Sequence, residues 1–320
     1  MVDFRYHLVS IIAVFLALAV GIVLGTTALN GPVLDDLRGN IDRLTADKRG
    51  LEGDVGGLRG QVEASDDFAT TVGPGLVKGV LDDQTVLLVT VPETPADLVK
   101  RTTDLIQQAG GAVTGQLRLL PALTDPKQAS LVDDVVAQVV PPGIDLPAGE
   151  PSERATVELA AALSRPARGP AVEGAQAQAV ISAFEEADLV QYESTGGTLR
   201  QASLVVVLSG PARTDKVGQG EQKAEETGHD AVLSLASAFD RRARGSLVAG
   251  PKSSADDNGL IRRLRSGSSV ASEVSSVDNA DRGVGLVAVV LALGEQLRGE
   301  VGQYGAGPRA EASLPRPAGP

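Results

Sequence analysis

The pattern of the chain predicts an α/β protein. An N-terminal transmembrane helix and a parallel coiled coil are followed by a doubly wound, mainly parallel sheet domain. Three observations predict it: an uncharged apolar stretch near the start, a heptad seam behind it, and strand-like and helix-like segments that alternate over the rest. The expected organisation is a transmembrane signal anchor over 1–30, a coiled-coil stalk over 31–65, an α/β domain over 66–307 and a disordered tail over 308–320.

From Leu8 to Leu29 there are 22 residues without a formal charge. At a helical rise of about 1.5 Å per residue they reach roughly 33 Å, enough to cross the hydrocarbon core of a bilayer. Phe4 and Tyr6 precede the run, where interfacial aromatics sit. The run is longer than the apolar region of a cleaved leader, and Thr26-Thr27-Ala28 is a poor cleavage site, so an uncleaved single-pass anchor is expected. Arg5 precedes the span while Arg38, Arg43, Lys48 and Arg49 follow it. Counted alone, these cations would hold the C-terminal side in the cytoplasm. Long domains translocate largely regardless of charge, and the expected location is the cell membrane or envelope with the α/β domain extracytoplasmic. Ala13, Ala17, Gly21 and Gly25 recur every four residues and make a small-residue ridge on which two helices can approach closely in lipid.

Leu34, Leu37, Ile41, Leu44, Lys48, Leu51, Val55, Leu58 and Val62 follow at alternating steps of three and four. With Leu34 at position a, every d position is leucine and most a positions are β-branched, the combination that favours a parallel pair of strands. Lys48 at an a position favours one register. The e and g positions are polar, so the seam is narrow, as a coil requires and a helix packed on its own domain does not. Gly50, Gly53, Gly56, Gly57 and Gly60 weaken the helix by roughly 1 kcal/mol each relative to Ala. Pro32 suggests a break between span and coil.

Beyond residue 65 the expected strands are Thr85–Val91, Ala112–Leu119, Ser203–Ser209, Ser246–Ala249 and Gly285–Leu291, about five in all. The expected helices are Ala96–Gln108, Lys127–Val140, Ser152–Leu163, Glu173–Ala187, Asp230–Arg242, Leu260–Arg265 and Gly294–Glu300. The short, continuous, β-branched runs TVLLVTV and SLVVVLS read as parallel strands buried on both faces.

Composition narrows the chemistry. The formal net charge is −12, which excludes a basic nucleic-acid footprint. The chain has no cysteine, so disulfides, thiolate metal sites and cysteine nucleophiles are excluded. Gly73-Pro74-Gly75 does not follow a strand, so no dinucleotide fingerprint is present. No G-x-S-x-G occurs, and Ser209-Gly210-Pro211 reads as a tight turn. His229 beside Asp230 lacks the further ligands of a metal hydrolase. Asp278 with Asp281, and Asp256 with Asp257, read as turn residues rather than as a cation site. No catalytic, cofactor-binding or metal residue is assigned, and no cofactor is expected.

Several runs carry a resemblance. His7–Gly25 (HLVSIIAVFLALAVGIVLG), Ile41-Asp42-Arg43-Leu44, Ala109-Gly110-Gly111-Ala112-Val113-Thr114 and Val301-Gly302-Gln303-Tyr304-Gly305 together resemble the mycobacterial copper transport protein B family, MctB, along nearly the whole chain. Val277-Asp278 falls in a matching place. The resemblance implies an envelope protein supporting copper efflux and copper resistance, described for the family as pore-forming, with copper ions as transient partners. The residues themselves offer Cu(I) only Met1, His7 and His229, so a high-affinity copper site is not expected. Nor do the strands alternate as those of a membrane β-barrel do. The same anchor and stalk also fit a dimeric scaffold or interaction protein with an extracytoplasmic α/β domain.

Overall fold

The computed structural model describes residues 4–167, 169–215, 218–267 and 269–316, with only the backbone of residues 26–35. It divides into two compact units, Met1–Ala64 and Ser65–Pro320. The helix α1, Phe4–Val77, crosses that boundary. Its helical backbone runs through Pro32, where a break was expected. A proline removes one ladder hydrogen bond, and the turns on either side remain helical here.

In the first unit, Phe4–Gly25 has a mean hydropathy of 2.9 and is long and apolar enough to cross a membrane. Its apolar side chains are exposed.

The second unit is an α/β domain. In chain order it holds β1 (Thr85–Thr90), α2 (Ala96–Gln108), β2 (Ala112–Leu119), α3 (Pro121–Thr124), α4 (Ala129–Val139), α5 (Pro151–Leu163), α6 (Gly174–Glu186), β3 (Val190–Ser194), β4 (Leu204–Leu208), α7 (Gln219–Arg242), β5 (Ser246–Ala249), α8 (Leu260–Arg265), β6 (Ser275–Val277), α9 (Gly283–Gln296) and β7 (Gln303–Tyr304). The seven strands form one sheet in the order β3-β2-β1-β4-β5-β6-β7. All pairings are parallel except β2 with β3.

Alternate residues of the central strands enter two different cores, as the two-residue side-chain period requires. Leu87, Val89, Val205 and Val207 pack with Leu159, Phe184 and Phe239 from α5, α6 and α7. Val86, Leu88, Leu204 and Val206 pack with Ile106 of α2 and Leu286, Val289 and Leu293 of α9. Helices therefore cover both faces of the sheet.

Three expectations need correction. Gly285–Leu291 is part of α9, not a strand, and α9 also takes up the start of the helix expected at Gly294–Glu300. This helix is buried nearly all round, so its sequence has no polar face to reveal a helical period. The sheet has seven strands rather than about five, because β3, β6 and β7 lack the long apolar runs of the others. Helix α7 begins at Gln219, well before Asp230. In the stretch expected to be a tail, Ala312 bridges Tyr304, and the N–H of Glu311 donates to the carbonyl of Gln303.

Candidate functional site

The chain leaves β1 to form β2 on one side and later returns to form β4 on the other. Parallel sheets open a crevice where the strand order reverses in this way, at the carboxyl ends of the strands. A cavity of about 350 Å³ lies there, within the size range of small-molecule sites. Its walls come from Val91–Glu93 after β1, Leu120–Pro121 after β2, Ser209–Arg213 after β4, residues 258–260, and the Ala224–Val232 face of α7.

Two loops at the crevice carry non-glycine residues in the left-handed region, Glu93 at φ 65° and Asn258 at φ 65°. Where the β1 and β4 loops meet, a Cβ on Gly210 would lie 2.8 Å from the Glu93 carbonyl oxygen, so only glycine fits. The loops are tied by Val91, whose N–H donates to the Leu208 carbonyl at 3.2 Å, and by Thr94, whose Oγ1 donates to the same oxygen at 2.9 Å.

The polar groups are mixed. Ser209 is 1% exposed, and its Oγ has no hydrogen-bond partner among the described residues. His229 is held below its ordinary pKa by burial and by the nearby Arg263 guanidinium, so its imidazole is neutral at pH 7. Asp230 acts on His229 only through its charge, which opposes the shift, and its hydrogen bonds go elsewhere. It accepts from Arg263 Nε at 2.9 Å and Nη2 at 2.8 Å, a bidentate pair. Glu93, Glu225 and Arg213 complete the charged lining. The crevice can hold one small molecule between apolar walls with hydrogen bonds at its rim. Among the described residues the Ser209 hydroxyl is not bonded to His229, so the two do not form a nucleophile–base pair.

At the other side of the sheet the same edge is closed. Asp278, just after β6, is fully buried and accepts from the backbone N–H of Ala306 at 2.8 Å and of Gly307 at 3.0 Å. Arg265 of α8 meets it at 2.5 Å and also donates to Ser276 Oγ at 2.8 Å and the Tyr304 carbonyl at 2.6 Å. Gln303 donates to the carbonyls of Ala271 and Val274, and its Oε1 accepts from Ser276 Oγ. Tyr304 Oη donates to Glu295 at 2.6 Å. Burial, and then that bond to Glu295, pushes the Tyr304 phenol well above its ordinary pKa. The VGQYG run is thus a fastening of the β6–β7 edge. Asp278 is not a surface turn residue, and Asp281 accepts from the Lys252 N–H at 3.2 Å.

The residues assigned to an oligomer interface lie outside the domain. Leu37, Ile41, Leu44, Leu51, Val55, Leu58 and Val62 are each 45% or more exposed. Lys48 pairs with Glu52 on its own helix at 3.6 Å. Leu34 lies outside the side chains described. Ala13, Ala17, Gly21 and Gly25 are exposed, and nothing lies within 4 Å of a Cβ built on either glycine. Among the described residues no three His, Cys, Asp or Glu side chains are grouped to hold a metal ion. Sequence reasoning missed the crevice residues Ser209, Glu93 and Asn258. The one signal for them was a parallel sheet with a turn after SLVVVL.

These features define an α/β protein with, among the described residues, one candidate membrane-spanning segment and a ligand-sized crevice. Comparison with known proteins narrows the class. Residues 1–315 match the family described as "Copper transport outer membrane protein, MctB", and the chain belongs to that family. It is similar to proteins named copper transporter MctB from Mycobacterium tuberculosis and Mycobacterium bovis, each 32% identical over 96% of this chain and 97% of the relative. The protein of that name from Mycobacterium leprae is 29% identical over the same shares.

Proposed function

We propose that this chain is a cell-envelope membrane protein supporting copper efflux and copper resistance. Its family membership over residues 1–315, with relatives named as copper transporters, carries the reading. Phe4–Gly25 is the single anchor, and the α/β domain lies on the extracytoplasmic side. The chain works as a parallel homodimer. The ridge of Ala13, Ala17, Gly21 and Gly25 and the seam from Leu34 to Val62 form the contact, within an anchor over 1–30 and a coiled-coil stalk over 31–65. Exposed leucines at every described d position support the coil. Strand order and helices on both faces support a doubly wound domain over 66–307.

Copper is cargo in this reading. Cu(I) favours thiolate and thioether ligands, and the chain has no cysteine and one methionine, Met1. Any contact with the ion is therefore brief. The test is copper accumulation in a strain lacking the gene. The mutant should accumulate copper and lose copper tolerance, and the restored gene should reverse both. Unchanged accumulation would sink the reading.

The lack of a grouped donor set among the described residues favours a second reading, a dimeric membrane-anchored scaffold or interaction protein. Ion conductance by the purified protein in bilayers would count against the scaffold. Silence in bilayers together with normal copper handling in the mutant would favour it.

A further inference from the structure

The crevice at the ends of β1, β2 and β4 has no part in the copper reading, yet three independent features meet there. The cavity lies where the strand order reverses, and it is large enough for a small molecule. Glu93 in its wall holds a left-handed backbone, φ 65°, which residues with side chains rarely adopt and which recurs at ligand sites. Ser209 Oγ, also in the wall, is buried without a hydrogen-bond partner among the described residues. The neighbouring strand end keeps room for that hydroxyl, since a Cβ at Gly250 would press on it. Buried hydroxyls that serve only the fold are bonded within it.

We propose that the crevice is a binding site for an uncharged small organic molecule, with its apolar body against Leu120, Val232 and Leu260 and its hydrogen-bonding end on Ser209 and His229. All five residues line the one cavity. A hydroxyl both donates and accepts, and a neutral imidazole offers one donor and one acceptor. The pair therefore suits a ligand group that also does both, such as an alcohol or a carboxamide.

The surroundings select against ions of either sign. Burial holds the His229 pKa below its ordinary value, and the Arg263 guanidinium adds to this. A wall that disfavours a proton on its own imidazole disfavours a ligand cation beside it for the same reason. Against an anion stand Glu93 and Glu225, two carboxylates to the one guanidinium, Arg213, among the described residues of the lining. A phosphate would also lack a helix end to rest on. α7, the helix that follows β4, starts at Gln219 and turns the side of its Ala224–Val232 stretch to the cavity, not its first turn.

The chain has two histidines, so their ring signals can be followed separately by NMR. The full chain in detergent, isotope-labelled at histidine, would be titrated at neutral pH with benzamide, benzyl alcohol, benzoate and benzylammonium. These probes are alike in size and differ in charge. Benzamide and benzyl alcohol should shift the His229 signal to saturation. His7, within the apolar segment, reports uptake of probe by the detergent and should stay in place. Benzoate and benzylammonium should leave His229 unmoved at the same concentrations. Ser209→Ala should weaken benzamide binding about three- to tenfold, the loss of one hydrogen bond. Ala224→Phe, at an exposed position of the lining, should abolish the shift by filling the mouth. The proposal is overturned if neither uncharged probe moves His229, or if His7 moves with it. It is equally overturned if a charged probe acts as strongly, if Ser209→Ala binds benzamide unchanged, or if the shift survives Ala224→Phe.

Discussion

At the carboxyl ends of β1, β2 and β4 the loops part and leave a crevice; at the ends of β6 and β7 the loop 305–308 folds back and fills the space. Both places lie along one edge of one sheet, and they treat polar groups in opposite ways. On the closed side the carboxylate of Asp278 meets two backbone N–H groups and a guanidinium. On the open side the Ser209 hydroxyl is shut from solvent with no partner among the described residues. Glu158 of α5, in the helical layer on one face of the sheet, is likewise buried with neither carboxyl oxygen bonded among the described residues. Polar groups that fasten a fold are satisfied within it. Those left unsatisfied mark where something else can act: a proton, a water or a ligand.

The largest effect should come from breaking the closed side. Arg265 and Asp278 have side chains 1% and 0% exposed. Removing one partner strands a charge where water cannot reach it, at about 3–5 kcal/mol. Asp278→Ala or Arg265→Ala should lower the stability of the detergent-solubilised protein by that amount in denaturant unfolding. Replacing both by apolar residues should be milder. A single variant within 1 kcal/mol of the parent would show that solvent enters this side too, and the contrast would fail.

That network also shows why parts of the molecule could not be read from the sequence. The strands TVLLVT and LVVVL were legible because both faces of a central parallel strand are covered, which forces an unbroken apolar run. β6 is Ser275-Ser276-Val277, with no such run. Its serines are polar because Ser276 receives Arg265 and Ser275 receives Gln296 at 2.9 Å, contacts between distant segments. α9 failed for the opposite reason: a run enclosed on every side carries no period. The crevice depends on strand order, which no local pattern encodes. A parallel sheet implied that a crevice exists, but not that Glu93, Ser209 and His229 would line it.

A pH experiment tests the second unsatisfied group, Glu158. Burial pushes the Glu158 carboxyl from its ordinary 4.5 to about 8. Folded, it keeps its proton up to about pH 8; unfolded, it releases it near 4.5. Between those values the folded form holds the extra proton. This contribution to stability is complete below about 4.5 and is lost as pH rises through about 8. Glu158→Gln keeps the shape without the charge. It should stabilise the protein at pH 9 by about 1–3 kcal/mol and change little at pH 4. An unchanged pH profile in the variant would mean that a cation or donor already meets the carboxylate. Glu158 would then be as well paired as Asp278.

The smallest effect is the most direct test of the crevice itself. Ser209→Ala deletes a hydroxyl that bonds to nothing among the described residues, in a side chain 1% exposed. Removing an unsatisfied buried polar group is neutral or stabilising, while removing a bonded one costs roughly 1 kcal/mol or more. The expected change is therefore between no effect and a gain of about 1 kcal/mol. A loss of stability would show that the hydroxyl has a hydrogen-bond partner in solution. The same variant read against small-molecule binding then separates the two cases. If Ser209 waits for a ligand, the alanine form should be as stable as the parent and bind more weakly. If it serves only packing, neither quantity should move.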